Sequence, residues 1–590
     1  MAISDLLKPV TAKNAARGAV AACVTWAIAL IATSAMLPMG WDEGDAILRA
    51  QQIPGSWPYT TVREGHPALP GVMLAAGHVL AGRWFEPLTA WRLGPMLLFA
   101  VAAGAMYYRL ARDVSAVAGL VGAAALLLMP RVFAHAHFAL GDSALTACWV
   151  LAWVAFGPAG PGSKLAAAGW GIPLGMAMSC KASGWLAPVA FILWSVIYRP
   201  RGRLSRLGLG LGVALVTFYA LNPPLWAQPI AGTCEFLRLN FSRHEAGLNL
   251  TAQFFGRLYN LDHPLPWYNT LVWTAMTVPV GLLGLAILGL VDAAAGARRR
   301  PAGMLLVLHW LTLVVARAVP GVPQHDAERL FLPAFAMLAA LAGIGAHRLL
   351  SSSPRTSWRT SWGLLRFFGH RAGTTTKERS AGVGKNGIVP VKGEAPRTVR
   401  WPVAAVAAIL LGSATSLFWY APQWLSYYNL LIGGLRGAVA MGMEPTYYWD
   451  ALDAEVLRWL NEHTPPDEAI YFAGGSPDNL ALLTRWGRLE RAVTTSVGND
   501  RWRWYVLQRR GSGMQPVDHW LAEHATPAFT KAIRRAGWGP WRLDVPLIEV
   551  YSRTQYLEAV AARGSKGTRI KGDVTDSFRS LPGNTRSNAS

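Results

Sequence analysis

The chain is short of acid. Among its 590 residues Asp and Glu number 33 against 55 Lys and Arg, a formal net charge of +22. Charge of either sign is scarce, at 15% of residues, while 52% are hydrophobic and the mean hydropathy is +0.26. So apolar a composition excludes an ordinary soluble protein of this length and implies a polytopic membrane chain. Cysteine is rare as well: Cys23, Cys148, Cys180 and Cys234 are scattered, three of them in or beside apolar segments. Neither a disulfide framework nor a zinc knuckle fits that spacing. Glycine-rich phosphate loops, Gly-x-Ser-x-Gly and His-Glu-x-x-His are missing, and no internal repeat is visible. The basic excess does not argue for nucleic acid, because much of it lies in loops between apolar segments, where the positive-inside rule expects it.

What the chain does have is a series of apolar segments punctuated by arginine. The first, Ala19 to Leu37, follows Lys8, Lys13 and Arg17 and reads as an uncleaved anchor running outward from a cytoplasmic N-terminus. Further spans are expected at Leu88–Leu110, Val114–Met129, Asp142–Phe156, Leu165–Ser179, Trp185–Ile197, Leu207–Leu221, Trp267–Val291, Ala302–Val319, Leu330–Ala346 and Trp401–Trp419. This succession puts every strongly basic loop inside and leaves outer loops at 39–87, 131–141, 227–266 and 320–329. The fold implied for residues 1–449 is a polytopic α-helical membrane domain of about eleven transmembrane helices, in the cell (inner) membrane. Pro67 to Ala81 is apolar but short, and reads as an interfacial or half-inserted helix.

Residues 348–400 carry eleven Lys or Arg against two Glu without hydrophobic periodicity, the pattern of a disordered basic cytoplasmic loop. Residues 450–560 have the composition of a small extracytoplasmic α/β domain. A helix is expected over Asp450–His463 and short strands at Ala469–Ala473, Trp504–Gln508 and Leu547–Tyr551. A polar, disordered tail is expected over 561–590.

In an acid-poor chain, Trp41-Asp42-Glu43-Gly44-Asp45 stands out just beyond the first span. Each acid taken alone suits a helix cap, and so does Asp142 at the start of a span. Counting spans, however, brings Asp142 to the same face as Asp42. Lys181, Arg317 and Arg329 also fall near outer ends of spans, against the positive-inside bias. Ionisable groups at such places line a cavity or find a partner, the alternative being snorkelling to lipid phosphates. His135 and His137, with His244, are candidate metal ligands because imidazole beside carboxylate suits zinc or manganese; their spacing is no metal signature, and interfacial hydrogen bonding is the competing role.

Order and topology together give a resemblance. Asp42-Glu43 in the first outer loop, His66-Pro67-Ala68-Leu69, Asp142-Ser143-Ala144-Leu145 opening a span and Arg329-Leu-Phe331-Leu-Pro333 near a late span resemble the family-39 type of GT-C membrane glycosyltransferases. That family includes protein O-mannosyltransferases and lipid A aminoarabinose transferases. Leu425-Ser-Tyr-Tyr-Asn429 through Tyr447-Tyr448-Trp449 is similar to segments of its bacterial members. The sequence departs from the family at Ala68, in place of a second proline, and at His66, where aminoarabinose transferases have lysine.

The resemblance implies a GT-C-like fold and transfer of a sugar from a polyprenyl-phosphate donor to a hydroxyl acceptor on the outer face. Asp42 would be the general base, with Glu43 and Asp142 positioning the acceptor, a cation or a metal. His66, Lys181, Arg317 and Arg329 would bind substrate, the cations stabilising the departing lipid phosphate. One base and no covalent intermediate implies inversion. No cofactor is certain from the resemblance, and a divalent metal ion stays open. The competing readings are a lipid-linked sugar flippase or transporter and a non-catalytic glycan-binding subunit. Polar motifs confined to one face, without repeated halves, favour the enzyme over the transporter.

Overall fold

The computed structural model describes residues 3–53, 55, 67–156, 168–200, 202–241, 250–319, 322, 325–351, 400–494, 496–497, 501–533 and 544–564. It is mostly helical. Among these residues four helices are long and apolar enough to cross a membrane: Ala12–Ser34, Pro87–Asp113, Ala327–Ser351 and Trp401–Tyr420. Local sequence chemistry sets where they begin. Thr11 accepts a bond from the Asn14 N–H, and Glu86, ahead of Pro87, accepts from the Leu88 and Thr89 N–H groups.

Each expected span contains a helix, but several are shorter than a bilayer requires or are broken. Gly141–Ala155 and Pro301–Ala316 have 15 and 16 residues, and Leu165–Ser179 reduces to Gly171–Met178 among the described residues. Trp267–Val291, expected as one span, is two helices, Asn269–Thr277 and Val280–Ala295. The break lies at Val278-Pro279: the residue before proline is driven into extended backbone, here at ψ 133°. Asn429 takes up the carbonyls this frees. Its Nδ2 donates to the Ala275 and Val278 oxygens at 2.5 and 2.6 Å, and its backbone N–H to Met276 at 2.8 Å.

The expected outer loop 131–141 is a second correction. Ala116–Leu127 turns by 71° into the helix Pro130–His137, every residue of which is buried. Proline at the first position suits a new helix and cannot continue the old one. The turn buries Arg131 and His135 instead of exposing them. The 227–266 loop is also partly ordered, as a helix Pro229–Phe241 and a hairpin of β1 (Ala252–Phe254) and β2 (Arg257–Tyr259).

Helices cross closely where residues are small. A Cβ on Gly289 would come within 1.9 Å of the Leu341 carbonyl, and one on Gly345 within 1.9 Å of that of Leu285, so glycine permits the crossing of Val280–Ala295 and Leu332–Ser351.

The C-terminal part carries a five-stranded mixed sheet in the order β4-β3-β5-β7-β6. Its strands are β3 (Ala469–Phe472), β4 (Ala492–Thr494), β5 (Trp502–Gln508), β6 (Phe529–Ala532) and β7 (Pro546–Ser552). β3 runs parallel to β4 and β5, while β7 is antiparallel to β5 and β6. Helices Ala454–His463, Pro477–Arg485, Pro516–His524 and Arg553–Gly564 accompany it. Part of its core is shared: Val456, Leu460, Ile470, Leu482 and Val550 belong to the same apolar cluster as Trp26, Phe99 and Leu341 of the long helices, while Tyr471, Trp502, Tyr505, Leu521 and Tyr551 form a cluster of their own. Most of the expected basic loop, 352–399, and the tail from 565 lie outside the described residues; Arg348 is still in helix Leu332–Ser351.

Candidate active site

Where the first long helix ends, the chain passes through Gly40 into a short helix, Glu43–Ala50, with Asp42 at its N-cap. The side chain of Asp42 does not cap this helix. It turns instead to Arg329, whose Nη2 lies 2.7 Å from Asp42 Oδ2, and it accepts from the Tyr448 hydroxyl at 2.9 Å. Both bonds fall on Oδ2, and the side chain is 42% exposed.

Arg329 is the hub. Its Nε meets Asp142 Oδ2 at 3.0 Å, its Nη1 meets Asp326 Oδ2 at 2.7 Å, and its guanidinium lies 4.3 Å over the Tyr448 ring. Three carboxylates thus share one planar cation, a geometry guanidinium provides and ammonium does not. Lys181 completes Asp142 from the other side, at 2.5 Å from Oδ1. Asp142 and Asp326 are therefore enclosed by cations, and Asp42 alone of the three opens to solvent.

Asp326 and Ala327 both have left-handed backbones, φ 59° and 43°, an unfavourable conformation for side-chain-bearing residues. The turn aims Asp326 back at Arg329. Burial works to raise the Asp326 carboxyl, but His325, Arg329 and Arg510 outweigh it and hold it below the usual range. Burial pushes the His325 imidazole down to about 4, so it is neutral at physiological pH. Arg317 is nearby and also buried: its Nη2 donates to the His325 carbonyl at 2.9 Å, while Nε and Nη1 have no hydrogen-bond partner among the described residues. A buried guanidinium with free donors is suited to an anion.

Glu43, expected beside Asp42, points elsewhere. Its carboxylate is wholly buried against Arg92, with Oε2 2.7 Å from Nη2, and it also accepts from the Gly40 and Ala139 N–H groups at 3.0 and 2.7 Å. Arg92 spends its remaining donors on the Ser34, Leu37 and Pro38 carbonyls at the end of the first helix. The pair closes the helix end and carries the loop.

His135 and His137 are not brought together, since residues two apart on a helix project to nearly opposite sides. His135 Nε2 lies 2.7 Å from the Tyr447 hydroxyl, whereas His137 faces Thr33 and the Phe133 carbonyl. Among the described residues no group of three or more His, Cys, Asp or Glu is placed to hold a metal ion. His66 and His244 lie outside the described residues.

Sequence reasoning missed several partners. Glu328 accepts from Arg131 Nη1 at 2.9 Å and from the Tyr447 hydroxyl at 2.6 Å; Arg131 also donates to the Tyr427 carbonyl and lies 4.4 Å over the Tyr428 ring. Arg92 and Arg131 were open to the rule that singled out Lys181, a cation near an outer span end. Tyr448 was marked only as part of a motif, without a role, and Asn479 gave no signal, because their roles depend on contacts 406 and 435 residues away in the chain.

Fold and cluster define a class: a mostly helical polytopic membrane protein with a charged site, part buried and part open, where helix ends meet the C-terminal sheet. No family model and no curated protein matches the chain in sequence. Among solved structures, ArnT from Cupriavidus metallidurans in the apo state is similar over 92% of this chain and 99% of its own, at 17% identity and a TM-score of 0.48. The same protein bound to undecaprenyl phosphate is similar over 90% and 97%, at 18% and 0.46. The Pmt1-Pmt2 protein O-mannosyltransferase complex of S. cerevisiae, bound to the sugar donor, is similar over 42% and 40%, at 17% and 0.31.

Proposed function

We propose that this chain is an integral-membrane glycosyltransferase that moves a sugar from a polyprenyl-phosphate donor to a hydroxyl acceptor on the outer face of the membrane. The observation that carries the reading is Asp42: the one carboxylate of the Arg329 cluster that is open to solvent, with Oδ1 free of hydrogen bonds among the described residues. Arg329 and Tyr448 orient it.

In the proposed step Asp42 takes the acceptor hydroxyl proton while that oxygen attacks the anomeric carbon. The bond from that carbon to the phosphate oxygen breaks, and the lipid phosphate leaves with the electron pair. Arg317, through its unpaired nitrogens, and Lys181, which is partly exposed, supply positive charge for that anion. A single displacement inverts the anomeric centre. Asp142 holds Arg329 and Lys181 in register, and Glu43 holds the loop through Arg92. His66 remains proposed for substrate binding on the motif resemblance.

Purified protein incubated with a panel of polyprenyl-phosphate sugars and scored for donor consumption and product mass tests the reading. A new glycosylated product supports it; sugar translocation across vesicles without any product would support a transporter. Asp42→Asn is expected to lower transfer by about 100-fold or more while leaving membrane insertion intact. Full transfer by that variant removes Asp42 from the chemistry.

A further inference from the structure

An N-cap aspartate ordinarily accepts the N–H of the second or third helical residue. Asp42 precedes Glu43–Ala50 with helical backbone, φ −87° and ψ −3°, rather than the extended backbone of a capping residue, and makes no such bond. The Gly44 N–H is bound by the side chain of Asn479, at 2.7 Å to Oδ1. The same amide donates from Nδ2 to the Gly40 carbonyl at 2.8 Å. Asn479 therefore bridges the chain on both sides of Asp42. It is buried, in the first turn of Pro477–Arg485, and the two helices fit closely: a Cβ on Gly44 would meet the Asn479 backbone nitrogen at 2.5 Å.

From this we infer that Asn479 is a positioning residue for the transfer reaction. It caps the Glu43–Ala50 helix and ties Gly44 to Gly40, and so fixes the turn from which the Asp42 carboxylate faces Arg329, Tyr448 and the acceptor. The inference rests on the proposed role of Asp42 as base. Removing the amide takes the side-chain partner from the Gly44 N–H and one of the bonds from the Gly40 carbonyl in a buried place, and the turn that carries Asp42 between them is free to shift. The C-terminal part would thus be required for catalysis through a hydrogen bond rather than through a group that touches substrate.

The structure of Asn479→Ala, determined in detergent or nanodiscs, reads the geometry directly. The Asp42 carboxylate is expected to be displaced from Arg329; finding it still on Arg329 overturns the inference. Kinetically, kcat is expected to fall about tenfold or more with the donor KM changed less than about twofold. In the Asp42→Asn background the same substitution should cost less than about twofold, since it has no base left to misdirect. Equal cost in both backgrounds means that Asn479 acts elsewhere and overturns the inference. Asn479→Ser, which suits the first helical turn, serves the same measurements if the alanine variant does not fold. Full transfer by Asp42→Asn alone overturns the base assignment, while the position of the carboxylate in the Asn479→Ala structure still decides the capping role.

Discussion

Arg329 and Arg92 are both arginines buried among carboxylate and carbonyl oxygens, yet they do different work. Arg92 is saturated by one carboxylate and three carbonyls, and it fixes a helix end. Removing Glu43 alone leaves that guanidinium buried and unpaired, so Glu43→Ala is expected to cost about 3–5 kcal/mol of stability. Glu43→Leu combined with Arg92→Met should recover much of that loss, as chemical unfolding in detergent can measure. Arg329 instead spreads over Asp42, Asp142 and Asp326 and depends on its planar fork. Arg329→Lys keeps the charge but cannot meet three carboxylates at once. Transfer should fall about 100-fold or more, with a clear drop in unfolding temperature. A lysine variant with native activity would show that charge alone suffices.

At the scale of elements, the segment from Tyr447 to Asp450 joins helices to sheet. Tyr447 reaches Glu328, Tyr448 lies under Arg329, and Trp449 packs 5.5 Å from Trp41. Asp450 follows, fully buried, with Oδ1 bonded by Thr446 and Oδ2 without a partner among the described residues. Burial pushes its carboxyl up to about 6, against the bond from Thr446. The folded state therefore prefers the proton more than the unfolded chain does. The stability this contributes is fully present below the unfolded value near 4 and is lost as pH rises through about 6. Asp450→Asn should then raise the unfolding temperature at pH 7.5, by an amount corresponding to as much as ~3 kcal/mol, and change it little at pH 4. Equal shifts at both pH values would remove the linkage.

For the whole molecule, the decisive fact is a shared core. Leu457, Leu480 and Leu483 of the C-terminal part lie in the same apolar cluster as the long helices. Arg488 meets Glu86 at 2.5 Å, and Asn479 bridges Gly40 and Gly44. Truncation after Trp449 should therefore expose an apolar face and release the Asp42 loop. Such a chain is expected to accumulate poorly in membranes and to lose transfer; a stable, active truncation would show the two parts to be independent.

How far this was legible in sequence varies by residue. Asp42, Asp142, Lys181 and Arg329 could be found because charge near a span end in an apolar chain is costly unless partnered, and span parity assigns each a side. The helices were legible for a related reason, since long apolar runs have few other uses, although the proline breaks at Pro130 and Pro279 were overlooked. Glu43 shows the limit. Adjacent residues at a helix start point in different directions, so Asp42 and Glu43 share a motif but face different partners. The turn at Pro130, the left-handed backbone at Asp326 and the bond from Asn479 to Gly44 join residues far apart in the chain or conformations that no local pattern prefers. Sequence alone determined that the chain is membrane-bound and which charges demand partners, because transfer free energy is local and additive. Only the tertiary structure decided which partner each charge takes, because that depends on where separate segments meet.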